Sequence, residues 1–411
     1  MKRVIALVLC LGLLAFAGCT GEDEKIDLKG GGGAETVTDG TRAKAIVLLD
    51  QAAAFLMKGY NEKDGSLLPA EQGGFAFSTL GLTAIARAPK EVRQKYEKKI
   101  AKTAGFIAAG QNADGSFQAR KGETNYVTCC AVMALVAFDR EKYKTVIAKA
   151  QKYIVDSQFI EEALKGRDKV YVGGWDYDPV DKKDPKKGLR VGADMSNVQF
   201  AMEALRESGL PKDSPAWKRA VKFLERSQSR SESNDVSAII ADIQPGNDGG
   251  FTYSPTESKA NGGQPKILAN GKKQYISYAS MTYAGLRSFI YAYVKKDDPR
   301  VVAAVNWIRK NYTLDENAGM GKGLGMKGYY YYIHTFAKAH YTWGETKFKT
   351  ADGSKHDWRA ELVEKLESLK KADGSYINLQ DEKWLEGQPF LCTAYVAEAL
   401  NMAVKSIDEQ K

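Results

Sequence analysis

A loop in the middle of this 411-residue chain combines carboxylic acids with aromatic rings. The segment reads GGWDYDP over residues 173–179, and its Asp176 and Asp178 lie on either side of a tyrosine. Carboxylates beside flat rings suit the binding of sugars or cations, and two of them could act as acid and base on a glycosidic bond. We therefore predict that Trp175, Asp176 and Asp178 contact a ligand.

The same pattern recurs without the acids at residues 249–255, which read GGFTYSP and add Tyr253 to the candidate residues. The two motifs belong to unusually long connections, residues 159–193 and 229–275. Connections of this length in a compact domain are usually functional or disordered, and their patterned rings and glycines favour ordered loops that cover one mouth of the fold. A feature that recurs is more often architectural, so the repeated rings have a second interpretation, as plugs of the core.

These loops are part of a larger repeat that begins after residue 42. Each copy has an amphipathic helical segment, a polar turn rich in Asp-Gly or Gly-Gly, and a second helical segment that is apolar on nearly all sides. A helix of the second kind must be buried all round, and one helix pair cannot bury its own apolar face, so neighbouring pairs must stack. Six copies are recognisable, and the last is as apolar as the middle ones, which favours a closed ring over an open solenoid. We predict an all-α domain over residues 42–405, an (α/α)6 toroid with long loops in its third and fourth repeats.

The sequence FIAAGQNADGSF at residues 106–117 resembles the glutamine–aromatic repeat of the terpenoid cyclases. The whole set of repeats, residues 43–403, is similar to the superfamily of squalene–hopene cyclases and protein prenyltransferase β-subunits. The resemblance implies parallel inner helices ringed by outer helices. It does not fix the function, because one fold can carry many activities.

The residues that carry the cyclase chemistry are replaced in this chain. Cyclases of the hopene type protonate an alkene with an Asp-x-Asp-Asp motif at the start of an inner helix, where this chain has Asp194-Met-Ser196-Asn197. A serine hydroxyl cannot protonate an alkene, so we do not expect cyclisation to begin in this way. Asp194, Ser196 and Asn197 stay candidates for ligand contact. Other inner-helix residues predicted to face the lumen are Tyr278, Tyr331 and His334.

No metal or other cofactor is expected from the sequence. The prenyltransferases hold zinc with Asp, Cys and His, and His334 lies near the position of their zinc-binding histidine. No Asp-x-Cys sequence precedes it, and a zinc site needs about three protein ligands. The cysteines at positions 129, 130 and 392 fall inside apolar helical segments and are interpreted as buried thiols.

The N-terminus has the pattern of a secretion signal over residues 1–18: a basic start, an apolar run, and small residues before Cys19. The pattern resembles a bacterial lipoprotein signal, which implies that Cys19 is acylated and anchors the protein in the cell envelope, on the periplasmic side or at the cell surface. Residues 19–41 are predicted to be a flexible tether and residues 406–411 a tail. The net charge of +9 comes from scattered lysines, so nucleic acid is not an expected partner.

Three functions stay open at this point. The first is a lipid-anchored protein that binds a small apolar ligand or a glycan in its lumen. The second is an enzyme of altered chemistry, acting on an isoprenoid or, through Asp176 and Asp178, on a polysaccharide. The third is an assembly scaffold whose outer surface binds a partner. A lumen lined by Tyr and Leu with few charges would favour an isoprenoid, and two carboxylates about 5–10 Å apart in an open mouth would favour glycosidic chemistry.

Overall fold

A computed structural model of the protein describes residues 39–69, 73–117, 123–178 and 192–410. Its longer helices alternate along the chain between an outer and an inner position. The outer helices are α1 (Asp39–Leu56), α3 (Glu97–Ala109), α5 (Lys144–Ser157), α7 (Pro215–Ser227), α9 (Pro299–Lys310) and α11 (Trp358–Leu369). The inner helices are α2 (Gly74–Ala86), α4 (Thr124–Asp139), α6 (Met195–Glu207), α8 (Ala279–Tyr291), α10 (Tyr329–Trp343) and α12 (Pro389–Asp408).

The inner helices close a ring. Each one contacts the next inner helix along the chain, and α12 contacts both α10 and α2. The outer helices pack against this ring from outside, as α1 does against α12 and α9 against α8. Helix α8 is buried at every position from Ala279 to Ile290, whereas α3 buries only Ile100, Thr103, Ala104 and Ile107. The first pattern fits a helix surrounded by others, and the second fits a helix with one face on the core.

A repeated turn lies between the outer and the inner helix of a pair and packs against the next outer helix. In one copy, a carboxylate oxygen of Asp114 accepts a hydrogen bond from the backbone N–H two residues later, at 3.0 Å. Gly115 has a φ of 93°, and a Cβ at this glycine would lie 2.5 Å from the carbonyl oxygen of Lys149 in α5. Phe117 then enters the core, and its N–H donates to the Oγ1 of Thr128 in α4 at 2.9 Å. The same turn recurs at Asp64 and Asp373.

The two long loops pack against each other through a small second core. Val170 comes from the loop before α6, and Val236, Ile240 and Ile243 come from the loop before α8. That second loop also contains a single helical turn (Val236–Ile239) and the antiparallel strands β1 (Lys266–Ile267) and β2 (Lys273–Gln274). A second hairpin, β3 (Lys347–Lys349) with β4 (Lys355–Asp357), joins α10 to α11, and a single turn (Lys90–Arg93) precedes α3. The long loops are therefore ordered structures where they are described, and they lie beside the starts of inner helices.

The predicted signal peptide, lipidated cysteine and tether precede the toroid in the sequence. Residues 1–18, Cys19 and the tether up to residue 38 lie outside the described residues. The toroid runs from α1 at Asp39 to the end of α12 at Asp408. Within the described ranges, no helix is both long and apolar enough to cross a membrane.

Candidate ligand cavity

A cavity of about 240 Å³ lies inside the ring, at the end where the inner helices begin. First-turn residues of every inner helix line it, together with residues from the long loops and from the loop before α12. The wall is mainly apolar and aromatic. Its aromatic members are Phe77, Tyr126, Tyr177, Phe200, Tyr253, Tyr278, Tyr331, Trp384 and Tyr395.

The other end of the ring has the opposite character. A second cavity of about 320 Å³ is lined there by the ends of inner helices and by charged side chains. Glu203 lies at its centre, with carboxylate oxygens 2.5 Å from Arg287 and 2.9 Å from Lys338. Because helix starts line one cavity and helix ends line the other, the inner helices run parallel. We call the buried ion pairs at this end the charged cluster; its members are Arg87, Glu203, Glu207, Arg287, Lys338 and Glu398.

Four of the residues predicted from the sequence line the aromatic cavity: Ser196, Tyr253, Tyr278 and Tyr331. The Tyr331 hydroxyl donates to the Oγ of Ser196 at 3.2 Å and so links α10 to α6 across the lumen. The carbonyl oxygen of Tyr253 accepts the N–H of Met195 at 2.8 Å, which fixes this loop residue to the start of α6. The structure thus brings the two predicted groups, loop rings and helix starts, into one wall.

Asp194 and Asn197 lie behind this wall and hold the start of α6. The two oxygens of Asp194 accept the backbone N–H of Asn197 at 3.0 Å and its side-chain N–H at 2.9 Å. Burial raises the pKa of Asp194 to about 6, although the hydrogen bonds from Asn197 oppose the shift. Both side chains are buried, and their contacts are those of a helix cap.

Trp175 lies in the core rather than in the cavity wall. Its side chain is fully buried, and its Nε1 donates to the carbonyl oxygen of Ile154 in α5 at 2.7 Å. Phe251 occupies the matching place in the next loop, also fully buried, with its ring 5.6 Å from that of Phe289. These contacts support the architectural interpretation of the repeated ring. Tyr177, two residues after Trp175, does line the cavity.

The two acids of this loop are both bonded to backbone N–H groups. Asp176 accepts from Tyr177 at 2.7 Å and from Gly192 at 3.2 Å, and burial raises its pKa to about 7. Asp178 accepts the N–H of Thr124 at 3.0 Å, at the start of α4. Neither acid is part of the cavity wall. Their geometry is that of groups that fix the loop to a helix start.

His334 is buried one turn beyond Tyr331, behind the cavity wall. Its ring stacks on Tyr395 at 4.9 Å and on Phe200 at 6.2 Å. Burial and the neighbouring Lys338 lower the pKa of His334 well below its usual range, so the imidazole is neutral. Among the described residues, no group of three or more His, Cys, Asp or Glu is arranged to hold a metal ion. The cysteines at positions 129, 130 and 392 are buried free thiols, and burial raises their pKa values.

The loop before α12 is part of the cavity although none of its residues was predicted to be. Glu386 lines the cavity, and its carboxylate accepts the N–H of Tyr331 and a side-chain N–H of Asn378, each at 2.8 Å. Burial raises the pKa of Glu386 to about 7. Trp384 and Leu385 also line the cavity, have left-handed φ values of 56° and 66°, and are about half exposed. The sequence signal that could have identified this loop as part of the site is the pair of adjacent Trp and Leu residues in an otherwise polar segment.

Comparisons with known proteins agree on the fold. No protein-family profile and no curated protein sequence matches the chain. A variant of the type II terpene cyclase MstE from Scytonema, in complex with its product merosterolic acid A, is 12% identical with a TM-score of 0.50, and the match covers 90% of this chain and 100% of that one. An unsaturated glucuronyl hydrolase specific for heparin is 12% identical with a TM-score of 0.51, covering 90% and 96%. At these identities the likeness concerns the fold alone. The predicted resemblance is confirmed at that level: the chain has the α/α toroid fold that the terpene cyclase and the hydrolase share.

Proposed function

We propose that this protein binds a small apolar molecule, of isoprenoid or aromatic character, in the lumen of its toroid. The observation that carries the proposal is the wall of the aromatic cavity, where rings and aliphatic side chains from every inner helix surround about 240 Å³ of space. Small-molecule sites in proteins are typically concave, mostly apolar and supplied with a few placed polar groups. Here the polar groups include Ser196 and Glu386.

The charged cluster makes one end of the lumen unfavourable for the entry of an apolar molecule. An apolar molecule would have to displace the buried ion pairs around Glu203 and Arg287 to pass that end, and breaking such pairs is costly. The mouth beside Trp384 and Leu385 has exposed apolar side chains instead. We therefore expect the ligand to enter at the helix starts, past these two residues.

The other functions predicted from the sequence have less support. A glycan site built on Asp176 and Asp178 would need free carboxylates, and both are engaged with backbone N–H groups outside the cavity wall. A scaffold would need an apolar stripe on the outer helices, where the large exposed apolar residues described are the isolated Val47 and Val302. Scattered single residues of this kind are normal on a protein surface.

Acid–base chemistry on the bound molecule is the second candidate, and Glu386 is the observation that favours it. Its carboxyl lines the cavity with a pKa raised by burial to about 7, near the value that suits a proton donor or acceptor at neutral pH. Incubation of the protein with an organic extract of its native host, followed by mass spectrometry, tests this activity. A mass change that wild type produces and Glu386→Gln does not would support it, and no change with either protein would refute it.

Binding itself is tested with a fluorescent apolar probe, N-phenyl-1-naphthylamine, and the full chain. We expect the probe to bind wild type and to bind Ala76→Trp at least about tenfold more weakly, because an indole at this wall position fills the cavity. Val47→Trp is the matched control, since it adds the same ring to an exposed site on α1. Equal binding to wild type and Ala76→Trp would refute a site in the lumen. If Ala76→Trp does weaken probe binding, native mass spectrometry of protein purified from its native host would identify a co-purifying ligand.

We also propose that the toroid is held in the cell envelope by a lipid on Cys19, as the N-terminal pattern implies. Such an anchor would keep the cavity close to a store of apolar molecules. Labelling cells with an alkyne fatty acid should mark wild type and leave Cys19→Ser unmarked. Equal labelling of both would refute the anchor while leaving the cavity proposal in place.

A further inference from the structure

Among the described residues around the aromatic cavity, acidic side chains outnumber basic ones. Glu123 and Glu386 are part of its wall, and Asp176 and Asp194 lie behind it. Within the described ranges, none of these four carboxyls forms an ion pair with a lysine or arginine. The lysine in the wall, Lys259, pairs with Glu257 and lies 4.2 Å above the ring of Tyr253. A cationic ligand would therefore approach acids that accept hydrogen bonds but whose negative charge no ion pair in the described chain offsets.

The starts of the inner helices add positive partial charge near the cavity, but this charge is smaller than that of the carboxylates. A helix N-terminus carries about half a positive elementary charge and acts only over its first turn. At α4, α6 and α10 this charge is already met by a carboxylate, from Asp178, Asp194 and Glu386 respectively. An ionised carboxylate carries a full negative charge, so the sum at each of these helix ends is negative whenever its carboxylate is ionised.

The aromatic rings of the wall also favour a cationic ligand. The faces of aromatic rings carry negative partial charge and attract cations, and cages of such rings bind quaternary ammonium groups. The ring centroid of Tyr126 lies 4.9 Å from that of Phe200 and 6.2 Å from that of Tyr177, and the centroid of Tyr331 lies 5.9 Å from that of Tyr395, so the wall contains two groups of rings in contact.

The hydroxyl of Tyr331 in the wall is already engaged, and an unused acceptor lies beside it. The Tyr331 hydroxyl donates to Ser196 and accepts from Gln199. The Oε1 of Gln199 is buried and accepts no hydrogen bond from the described residues, which leaves the negative end of an amide dipole behind the wall. The surroundings of the cavity thus offer ring faces, an unused amide oxygen and carboxylates to a cationic group.

From this combination we infer that the ligand is an organic cation with an apolar body: a tertiary or quaternary ammonium group attached to a hydrocarbon or ring. The inference rests on the proposed function, because it names the class of molecule that the lumen holds. The apolar body would fill the space between the helices, and the ammonium group would lie among the tyrosine rings near Glu386. Loss of water from both groups strengthens this attraction relative to an exposed site.

Three ligands of nearly equal shape test the inference: phenyltrimethylammonium, tert-butylbenzene and benzenesulfonate, which are cationic, neutral and anionic. Each competes with N-phenyl-1-naphthylamine for the full chain. We expect the cation to bind about tenfold more tightly than the neutral molecule, and the anion most weakly. The ratio of the cation's affinity to the neutral molecule's affinity should fall at least about threefold in Glu386→Gln.

Glu123→Gln repeats the test at a partly exposed wall position in case Glu386→Gln does not fold. Glu364→Gln, exposed on α11, is the matched control and should keep the wild-type ratio. Equal binding of cation and neutral molecule, or a preference for the sulfonate, would overturn the inference while the lumen site stands. If the apolar probe binds wild type and Ala76→Trp equally, the proposed function fails, and this inference fails with it.

Discussion

Replacement of Glu203 by glutamine should reveal how strongly the charged cluster holds the toroid together. Glu203 is buried on α6, and its carboxylate faces Arg287 of α8 at 2.5 Å, Lys338 of α10 at 2.9 Å and Arg87 after α2 at 3.5 Å. Burial alone would raise the pKa of Glu203, but these three cations lower it well below its usual range. The glutamine has the same shape and removes only the charge, so that Arg287 loses the carboxylate it pairs with, whereas Lys338 and Arg87 keep Glu398.

The expected cost follows from this geometry. Removing one partner of a buried ion pair costs about 3–5 kcal/mol, because the remaining charge is left uncompensated. An unfolding entropy of about 2.1 cal/mol/K per residue gives about 0.8 kcal/mol/K for the roughly 370 residues of the toroid. The melting temperature should therefore fall by about 4–6 °C, as measured at pH 7 by differential scanning calorimetry.

Glu207→Gln is the matched control. Glu207 lies one turn further along α6, its side chain is 27% exposed, and among the described residues its carboxylate pairs only with Arg87. Burial raises the pKa of Glu207, so its ionised form stabilises the fold less, and we expect a change of about 1 °C or less. Equal shifts for the two variants would refute the reasoning. The difference in melting temperature between wild type and Glu203→Gln should also shrink as the pH falls through the folded pKa of Glu203, because wild type then loses the same charge.

Two further predictions follow from other buried groups. Trp175→Phe should remove one of the two side-chain hydrogen bonds to the carbonyl oxygen of Ile154, leaving that of Ser157, and should leave a gap in the core. We expect a cost of about 1–3 kcal/mol in unfolding free energy, measured by chemical denaturation. A loss of probe binding with no loss of stability would mean that Trp175 contacts the ligand after all. Burial raises the folded-state pKa of Asp176 to about 7, above its unfolded value. Between pH 5 and pH 8 the folded protein therefore loses a proton that the unfolded chain has already lost. The stability of wild type falls over this range as a result. The melting temperature of Asp176→Asn relative to wild type should therefore rise from pH 5 to pH 8, and a constant difference would contradict the raised pKa.

The toroid could be predicted because its signals are local and repeated. Amphipathic and fully apolar helical segments alternate, and Asp-Gly turns such as Asp114-Gly115 fix how each pair meets the next. Such turns need only a left-handed glycine and an aspartate that bonds to its own backbone. The positions of Ser196, Tyr278 and Tyr331 followed from the same regularity, because each stands near the start of an inner helix.

The composition of the site depended on contacts between distant parts of the chain. Trp175 and Asp176 carried the strongest chemical pattern in the sequence, yet one reaches the core under α5 and the other bonds to backbone N–H groups. Glu386 showed no pattern, yet it lies in the cavity wall because its carboxylate bonds to the start of α10. A sequence repeat fixes helix type and order, since these depend on neighbouring residues. Which side chain of an irregular loop reaches the lumen is decided by the packing of segments far apart in the chain, and only the folded structure determines it.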